Sequence, residues 1–582
     1  MSRHITTGVR AFLRRLWKQE TPPAVLTLEA VDVDMLFRRA LEYQQQGALE
    51  KAQELYQEVI ALESSHFDAW FLSGIVAAQK NDFVEAIKHL RMASKLHPAD
   101  VDVYCALGDA LAALQKYSEA VSNYKHALEL APTNVEARIN QAIPLHKLGR
   151  DAEALRSLEL ALRYRPDSVE ALVQRGNILS VVGRWQDALA SFDHALQIDA
   201  QNAGVFNNRG IVLYELGRPR EAIDSYNRAI EITPQLHDAL INKGLALSEL
   251  GQYEEAMQCY VRVLDMQQDS PAALYNQSLC SLLAGDFEAG WRQYESRWKI
   301  EQFQPFTRDF PWPLWLGKES LAGRTILLHA EQGVGDTIQF CRYVDLVIRL
   351  RARVYLEVPQ SLGSLLSQLD GIERVLIKGE QLPEIDFHCP LLSLPLVFST
   401  TVDTMPARIP YLYADTIRVS VWRGRLSNQP KPRVGLVWSG NPGHRNDRNR
   451  SIPLRMFAPV LTLDCEFISL QKELRESDKV ELDKLKKIGH FGDALIDFCE
   501  TAALIECLDL IISVDTAAAH LAGAMGKPVW ILLPFNPDWR WMTSRDDSPW
   551  YPTASLFRQR TSGDWQSVLN DVSADLAKML KH

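Results

Sequence analysis

Residues 203–236 read AGVFNNRGIVLYELGRPREAIDSYNRAIEITPQL, and units of the same 34-residue length repeat from about Val33 to about Gln302. A small residue at the phase of Gly210 and a large residue at the phase of Tyr226 return in successive units. The pattern predicts two helices in each unit, because a small residue lets the helices approach closely and a large one fills the groove beside it. The stretch therefore predicts an all-helical repeat array over nearly half of the chain.

Proline marks the end of several of these units. The prolines are Pro98, Pro132, Pro166 and Pro234. Since proline cannot continue a helix, each one is expected to set the turn into the following unit. The array resembles the tetratricopeptide-repeat (TPR) family over about eight repeats, and this resemblance implies a right-handed superhelix whose extended concave face holds polypeptides.

An amide side chain recurs at the sixth position of the first helix in five successive units. The residues are Asn140, Gln174, Asn208, Asn242 and Asn276. Each amide offers an acceptor and two donors, so the row can pair with the backbone of an extended peptide without reading its sequence. The row looks like the asparagine ladder of the eukaryotic O-linked N-acetylglucosamine transferases and predicts binding of an acceptor peptide. The structural alternative is that each amide bonds only to the neighbouring helix.

Composition disfavours several other classes of protein. A formal net charge of −10 argues against a nucleic-acid binder, which carries a basic stripe. The eight cysteines include no C-x-x-C pair, so neither a structural zinc site nor a disulfide framework is indicated. No apolar run reaches the about 18 residues of a membrane span. We expect a cytoplasmic protein with no integral membrane segment and no metal site.

The chain divides into five segments by pattern. Residues 1–32 predict a basic amphipathic helix or linker rather than a signal peptide, because arginine and lysine interrupt their apolar residues. Residues 33–302 form the array, and residues 303–320 form a linker rich in proline and tryptophan that is expected to be stiff. Two Rossmann-like lobes follow, an acceptor-side lobe at 321–415 and a nucleotide-sugar lobe at 431–582.

The prediction of these lobes rests on strands that alternate with helical stretches. The predicted strands are Thr325–His329, Arg353–Val358, Arg374–Ile377, Arg433–Trp438, Cys465–Leu470, Leu508–Ser513 and Val529–Leu533. This alternation predicts parallel sheets covered by helices, hence the α/β class. A break near 411–431 separates two blocks, and ligands of such sheets bind outside the carboxyl ends of the strands.

The loop after the first strand carries Gly333, Gly335 and Asp336 ahead of a helix predicted over 336–350. The glycines allow a tight turn and a close approach of the backbone to a ligand. The pattern is neither G-x-G-x-x-G nor a P-loop. The structural alternative makes Asp336 an N-cap of the helix.

A second loop joins a strand directly to an alanine-rich helix and contains Asp515, Thr516 and His520. The free amides and the dipole of such a helix start suit a diphosphate. Ser439, Asn441 and Arg450 lie in a polar loop at the same predicted sheet edge, where an arginine can neutralise the diphosphate. The structural alternative makes Asp515 a cap and His520 an ordinary helix residue.

These two loops resemble those of the heptosyltransferase-type GT-B glycosyltransferases over roughly residues 321–582. The resemblance implies that Asp336 is the general base and that Asp515, Thr516 and His520 bind the donor diphosphate and its ribose. It assigns Arg450 to the phosphate. The match departs from the family pattern at Ile452, where a tryptophan is usual, and at Ala517, where a glycine is common.

The sequence predicts a glycosyltransferase that moves a sugar from a nucleotide-sugar donor to a protein held by the TPR array. The resemblance implies inversion at the sugar and no metal ion or other cofactor. Two alternatives stay open at this point, namely a non-catalytic TPR scaffold with a vestigial GT-B half and an enzyme that acts on a glycolipid. The residues do not identify the sugar, the nucleotide or the acceptor.

Overall fold

The computed structural model describes residues 32–426, 430–444 and 446–581. The basic helix predicted within residues 1–32 lies outside them, except for Asp32, whose side chain caps the first helix. The chain separates into two compact units, Met1–Leu236 and His237–His582. No helix in the described ranges is both long and apolar enough to cross a membrane.

The first unit contains six helix pairs of the predicted array. Its helices are α1 (Val33–Gln45), α2 (Leu49–Leu62), α3 (Phe67–Gln79), α4 (Phe83–Leu96), α5 (Val101–Ala113), α6 (Tyr117–Leu130), α7 (Val135–Lys147), α8 (Asp151–Tyr164), α9 (Val169–Val181), α10 (Trp185–Ile198), α11 (Ala203–Glu215) and α12 (Pro219–Ile232). The second unit begins with two more pairs. These are α13 (His237–Glu249), α14 (Tyr253–Met266), α15 (Pro271–Ala284) and α16 (Phe287–Tyr294). The prediction of an all-helical TPR array is confirmed.

The small and large residues that recur in each repeat pack against each other, as the sequence predicts. A methyl group added to Gly108 would lie 2.6 Å from the ring of Tyr124, and one added to Gly176 would lie 2.6 Å from the ring of Phe192. The rings are buried. Each ring therefore occupies the space that the missing side chain leaves, and this contact sets the distance between the two helices of a pair.

The rest of the second unit contains two parallel sheets. The first consists of β1 (Thr325–His329), β2 (Arg353–Val358), β3 (Ile372–Ile377) and β4 (Phe387–Pro390), in the order β3-β2-β1-β4. The second consists of β5 (Arg433–Val437), β6 (Glu466–Ser469), β7 (Ile488–His490), β8 (Leu510–Val514), β9 (Val529–Leu533) and β10 (Ala554–Arg558), in the order β10-β9-β8-β5-β6-β7. All of their pairings are parallel, as the α/β prediction requires.

Helices of varied length connect and cover these strands. They are α17 (Val334–Phe340), α18 (Val344–Arg349), α19 (Gly363–Leu366), α20 (Leu394–Val397), α21 (Thr416–Arg425), α22 (Asp447–Arg450), α23 (Glu476–Leu485), α24 (Phe498–Glu506), α25 (Ala517–Ala524) and α26 (Trp565–Met579). The helix predicted over 336–350 is wrong in its bounds, since α17 and α18 are separated by a 3-10 turn. The predicted break near 411–431 contains α21, which packs on α24 through a hydrogen bond of 2.8 Å from Trp422 Nε1 to Glu500.

The segment after α16 lies on the first sheet. It forms two short 3-10 helices, Glu295–Lys299 and Glu301–Phe306. Trp315 is buried, and its backbone N–H donates to the carbonyl of His388 in β4 at 2.8 Å. This segment is therefore packed against a strand along part of its length.

A buried ionic cluster joins the end of the repeats to the loop after β1. Arg297 is 0% exposed and donates to Glu295 at 2.6 Å, to Ser393 at 2.9 Å and to Glu331 at 3.2 Å. Glu331 is also buried, and the backbone N–H of Leu392 donates to it at 3.3 Å. A buried cation requires such partners, because the desolvation of an ion is costly.

We predict that Gly210→Ala destabilises its helix pair by about 1–3 kcal/mol, since the new methyl group would overlap the buried ring of Tyr226. Amide hydrogen exchange in α11 and α12 measures the local opening free energy. Gly204→Ala is the matched control, because it lies in the same helix and meets only Asn202 Oδ1, at 3.5 Å. Equal protection in the two variants would contradict the packing argument.

A second prediction concerns pH. Burial raises the pKa of Glu331 to about 7, although the cation of Arg297 opposes this. The folded state therefore keeps a proton that the unfolded glutamate loses near its ordinary pKa of 4.5. This contribution to stability is full below that value and decreases as the pH rises to about 7, by on the order of 3 kcal/mol.

Glu331→Gln removes this titration. The Tm of the natural chain minus that of the variant should decrease between about pH 4.5 and pH 7 and stay level above pH 7. Glu288→Gln, at a largely exposed position, serves as the control. Parallel Tm curves for the natural chain and Glu331→Gln would show that Glu331 has no raised pKa.

Candidate functional site

Strand order places two loops at one point of the second sheet. The chain runs from β5 outward to β6 and β7, then returns to β8 on the other side of β5. Adjacent loops that leave in opposite directions form a crevice at the carboxyl ends of the strands, where α/β proteins bind ligands. The loop after β5 and the start of α25 after β8 therefore flank this crevice, as predicted.

The start of α25 holds three of the predicted residues. Thr516 is its N-cap by backbone conformation, and its side chain makes no capping hydrogen bond. The alternative in which Asp515 caps this helix is thus wrong. The hydroxyl of Thr516 lies 3.0 Å from that of Ser513.

His520 is buried and fixed by the groups around it. Its Nδ1 lies 2.9 Å from the hydroxyl of Tyr551, and its Nε2 lies 3.6 Å from Asp515. Its ring stacks on Trp541 at 5.4 Å. Burial raises the pKa of Asp515, but the polar N–H groups of His520 and Trp541 and the cation of Arg450 together bring it below its ordinary value. Asp515 is therefore a carboxylate at neutral pH.

Arg450 reaches from the loop after β5 to the loop after β8. Its Nη1 donates to the backbone carbonyl of Asp515 at 3.0 Å. A methyl group on Gly440 would lie 2.7 Å from Arg450 Nη2, so the glycine makes room for the guanidinium. Arg450 Nε is buried, and no described group accepts a hydrogen bond from it. The cation therefore lies at the crevice with donor capacity left.

The two other residues predicted in this loop make local contacts. The backbone N–H of Ser439 donates to Gln471 at 3.1 Å, and the amide of Gln471 donates to the Ser439 hydroxyl at 3.2 Å. Asn441 accepts from the backbone N–H of Gly443 at 2.9 Å. These contacts shape the loop, and a role for either residue in donor binding stays a prediction.

The first sheet brings the loop from β1 to α17 close to α25. The helix begins at Val334 with Gly333 as its N-cap, so the prediction that it starts at Asp336 is wrong. Asp336 is the third residue of the helix and accepts from the backbone N–H of Gly333 at 2.8 Å. A methyl group on Gly335 would lie 3.0 Å from His520. The two predicted loops therefore meet at this glycine.

Arg540, which the sequence did not single out, links the two sheets. It forms an ion pair with Asp336 and donates to Asp538 at 2.8 Å and to Gln339 at 2.7 Å. Burial opposes the charge, but Asp538 and Asp336 raise the pKa of Arg540, which stays a cation. The only local sequence signal at Arg540 is that tryptophans flank it, Trp539 and Trp541.

His444 is a second residue that the sequence prediction did not include. Desolvation and the cation of Arg450 lower its pKa, whereas Asp515, Asp538 and Asp336 act in the opposite direction. All three carboxylates act on the ring, but its pKa stays below the ordinary value. Its Nδ1 accepts the backbone N–H of Asn446 at 3.2 Å, so the neutral ring carries its hydrogen on Nε2.

The amide row divides between the two units. In the first unit, Asn140 donates to Asp109 at 3.0 Å and Asn208 donates to Asn177 at 3.0 Å, each in the preceding repeat. In the second unit, Asn276 donates to the carbonyl of Ala272 at 2.9 Å. The structural alternative is therefore present at Asn140 and Asn208, whereas Asn276 bonds within its own helix, and peptide binding stays a prediction.

Across residues 32–426, 430–444 and 446–581, no group of three or more His, Cys, Asp and Glu side chains is placed to hold a metal ion.

Comparison with known families agrees with the two-part plan. Tetratricopeptide-repeat models match residues 37–101, 101–134, 167–235, 203–269 and 241–304. The model of glycosyltransferase family 9 (heptosyltransferase) matches residues 494–533, a span that includes Asp515, Thr516 and His520.

One curated relative is Protein FlbA of Caulobacter vibrioides, which is 25% identical over 315 residues. The matched region covers 49% of this chain and 52% of that protein, so the chain spans about half the length of this relative.

Solved structures resemble the repeats. YrrB, described as a TPR protein with an unusual peptide-binding site, is 22% identical with a TM-score of 0.28 and covers 32% of this chain and 95% of its own. A TPR protein from Parabacteroides merdae is 14% identical with a TM-score of 0.37 and covers 43% of this chain and 98% of its own. The chain thus combines tetratricopeptide repeats with a C-terminal segment similar to the heptosyltransferase family of glycosyltransferases.

Proposed function

We propose that this chain is a GT-B-type glycosyltransferase that moves a sugar from a nucleoside-diphosphate sugar to a polypeptide. The observation that supports it best is the meeting of Asp336 with the start of α25 at Gly335 and His520, where a methyl group on the glycine would lie 3.0 Å from the imidazole. An acceptor hydroxyl beside Asp336 and a diphosphate at the start of α25 would therefore lie next to each other.

The donor diphosphate would lie at the start of α25. The first amides of a helix and its dipole favour an anion. Arg450 lies beside them with an Nε that makes no hydrogen bond and has Asp447 at 3.9 Å as its ion-pair partner, and Thr516 adds a hydroxyl. These groups would stabilise the charge that develops on the leaving diphosphate, without a metal ion.

The reaction is a single displacement at the anomeric carbon. The acceptor oxygen forms a bond to that carbon while its proton passes to Asp336. The bond from the anomeric carbon to the diphosphate oxygen breaks, and its electron pair leaves with the nucleoside diphosphate. Attack opposite the leaving group inverts the sugar, and the proton is later lost from Asp336 to solvent.

One observation favours a second candidate function. Both oxygens of Asp336 are occupied, one by Gly333 N–H and the other by Arg540. In a non-catalytic scaffold, these two contacts would be the whole role of Asp336. In the enzyme, the cation of Arg540 orients the carboxylate, and the acceptor hydroxyl must replace one of the two contacts.

The test uses the full chain, nucleoside diphosphates, nucleotide sugars and mass spectrometry of an acceptor polypeptide. We expect Asp336→Asn to lower transfer by about 100-fold or more while diphosphate affinity is kept. Thr516→Val should weaken diphosphate binding by about tenfold, since a hydrogen bond to a charged group is lost. Asn is preferred to Ala at position 336 because it keeps an acceptor for Gly333 and volume beside Arg540.

Asp415→Asn is the matched control, because Asp415 caps α21 by accepting from the backbone N–H of Arg418 at 2.9 Å. It should leave both transfer and binding unchanged. Full transfer by Asp336→Asn would limit Asp336 to its structural contacts with Gly333 and Arg540. Failure of every nucleoside diphosphate and nucleotide sugar to bind would favour the scaffold, and sugar found on a glycolipid with unmodified protein would favour the lipid acceptor.

A further inference from the structure

A separate cavity opens at the carboxyl edge of the second sheet. Its volume is about 460 Å³, which is in the range of small-molecule sites. Loops after β5, β6, β9 and β10 line it, together with Glu249 at the end of α13. Phe535 and Trp565 provide apolar surface on its wall. The cavity is thus large enough for an organic molecule and lies between a repeat helix and the sheet.

Gln559 gives this cavity an unused donor. The residue lines the cavity and is 6% exposed. Its Oε1 accepts the backbone N–H groups of Phe535 and Gly563, both at 3.1 Å. These two bonds fix the orientation of the amide, so its Nε2 must be the donor, and no described group accepts from it. A buried donor without a partner is rare in native proteins and indicates a missing acceptor.

Arginine dominates the charge of the cavity. Arg448, Arg455 and Arg475 line it against two carboxylates. One carboxylate, Glu249, lies 3.8 Å from Arg448. The other, Asp478, is buried and accepts from Trp438 Nε1 at 3.0 Å. Arg448 pairs with Glu249 and Arg475 pairs with Asp447, so Arg455 is the lining arginine that has no carboxylate partner among the described residues.

One of these arginines, Arg475, is held in place by neighbouring groups, and another, Arg455, is open to solvent. Arg475 donates to the hydroxyl of Ser451 at 3.0 Å and also pairs with Asp447. Arg455 is exposed. Asn536 accepts from the hydroxyl of Tyr253 at 2.8 Å, so its remaining group is a donor amide. A wall with arginines and amide donors suits a phosphate group, which presents several acceptor oxygens and negative charge.

The cavity is distinct from the proposed donor crevice. Arg450 hydrogen-bonds the carbonyl of Asp515, whereas its chain neighbours Asn449 and Ser451 line the cavity. Asp515, Thr516 and His520 do not line it. One short segment therefore contributes to both sites from different residues.

We propose that this cavity binds a small phosphorylated ligand, with its phosphate on Arg455 and Gln559 and its organic part against Phe535 and Trp565. This site does not depend on the proposed transfer reaction. Because Glu249 lies at the end of α13, a bound ligand would contact a repeat helix and the sheet at the same time.

Isothermal titration of the full chain with inorganic phosphate tests the proposal. We expect Arg455→Gln and Gln559→Glu each to weaken phosphate affinity by about tenfold or more, since each removes a donor to a charged acceptor. Glu at position 559 keeps the acceptor for Phe535 and Gly563 and replaces only the unused donor. Arg408→Gln is the charge-matched control, because Arg408 is exposed in the same unit and does not line the cavity.

Arg450→Gln distinguishes this site from the donor crevice, and it should leave phosphate binding at the cavity intact. Ribose 5-phosphate should bind at least as tightly as phosphate, and ribose alone should not bind. Phosphate affinity that is unchanged in both cavity variants, or lost only in Arg450→Gln, would overturn the proposal. So would a natural chain that binds neither phosphate nor ribose 5-phosphate.

Discussion

The second unit depends on the buried cation of Arg297. Its guanidinium is fully enclosed and lies 4.7 Å from the ring of Tyr294 and 4.4 Å from that of Trp298. An enclosed charge tolerates no loss of a partner, because removal of one member of a buried pair typically costs about 3–5 kcal/mol. The end of the repeats and the loop after β1, which supplies Glu331, are therefore held in one arrangement.

This constraint reaches the candidate site through a short stretch of chain. Glu331 lies in the loop that leads from β1 into α17, and Asp336 in the first turn of α17 pairs with Arg540 from the loop after β9. Arg297 and Arg540 thus fix the two ends of this loop from opposite sides, one from the repeats and one from the second sheet. Functional groups held by packed and charged neighbours keep their geometry better than groups on free loops. A substrate would have to compete with Arg540 for Asp336.

Periodic features of the sequence predicted much of the fold. The 34-residue repeat predicted the helix pairs, because a contact like that of Gly108 with Tyr124 returns in several repeats. The apolar runs gave seven of the strands to within about two residues. β4, β7 and β10 were missed because they are short or carry polar residues, as His388 in β4 and Ser555 in β10 show.

The predicted site residues lie in the loops and helix starts that follow β1, β5 and β8. Asp515 and Asp336 lie just past β8 and β1, so local pattern and strand order placed them together. Arg540 contributes through contacts to residues about 200 positions earlier, and nothing in its own neighbourhood specifies them. His444 and Gln559 were missed for the same reason, since the partner or the unused donor becomes visible only after the loops are folded.

The amide row shows why repeats alone do not define an acceptor. In the first unit, Asn140 and Asn208 each donate one amide hydrogen to an acceptor on the preceding repeat. A side-chain amide has two hydrogens, so one donor remains on each for a peptide backbone, although the oxygen of Asn208 already accepts from Asn207 at 3.4 Å. Each such contact has a net value of only about 1 kcal/mol. In the proposed enzyme, a row of such weak contacts would hold an extended chain but discriminate little between sequences, so selection of the modified residue would have to occur at Asp336 and α25.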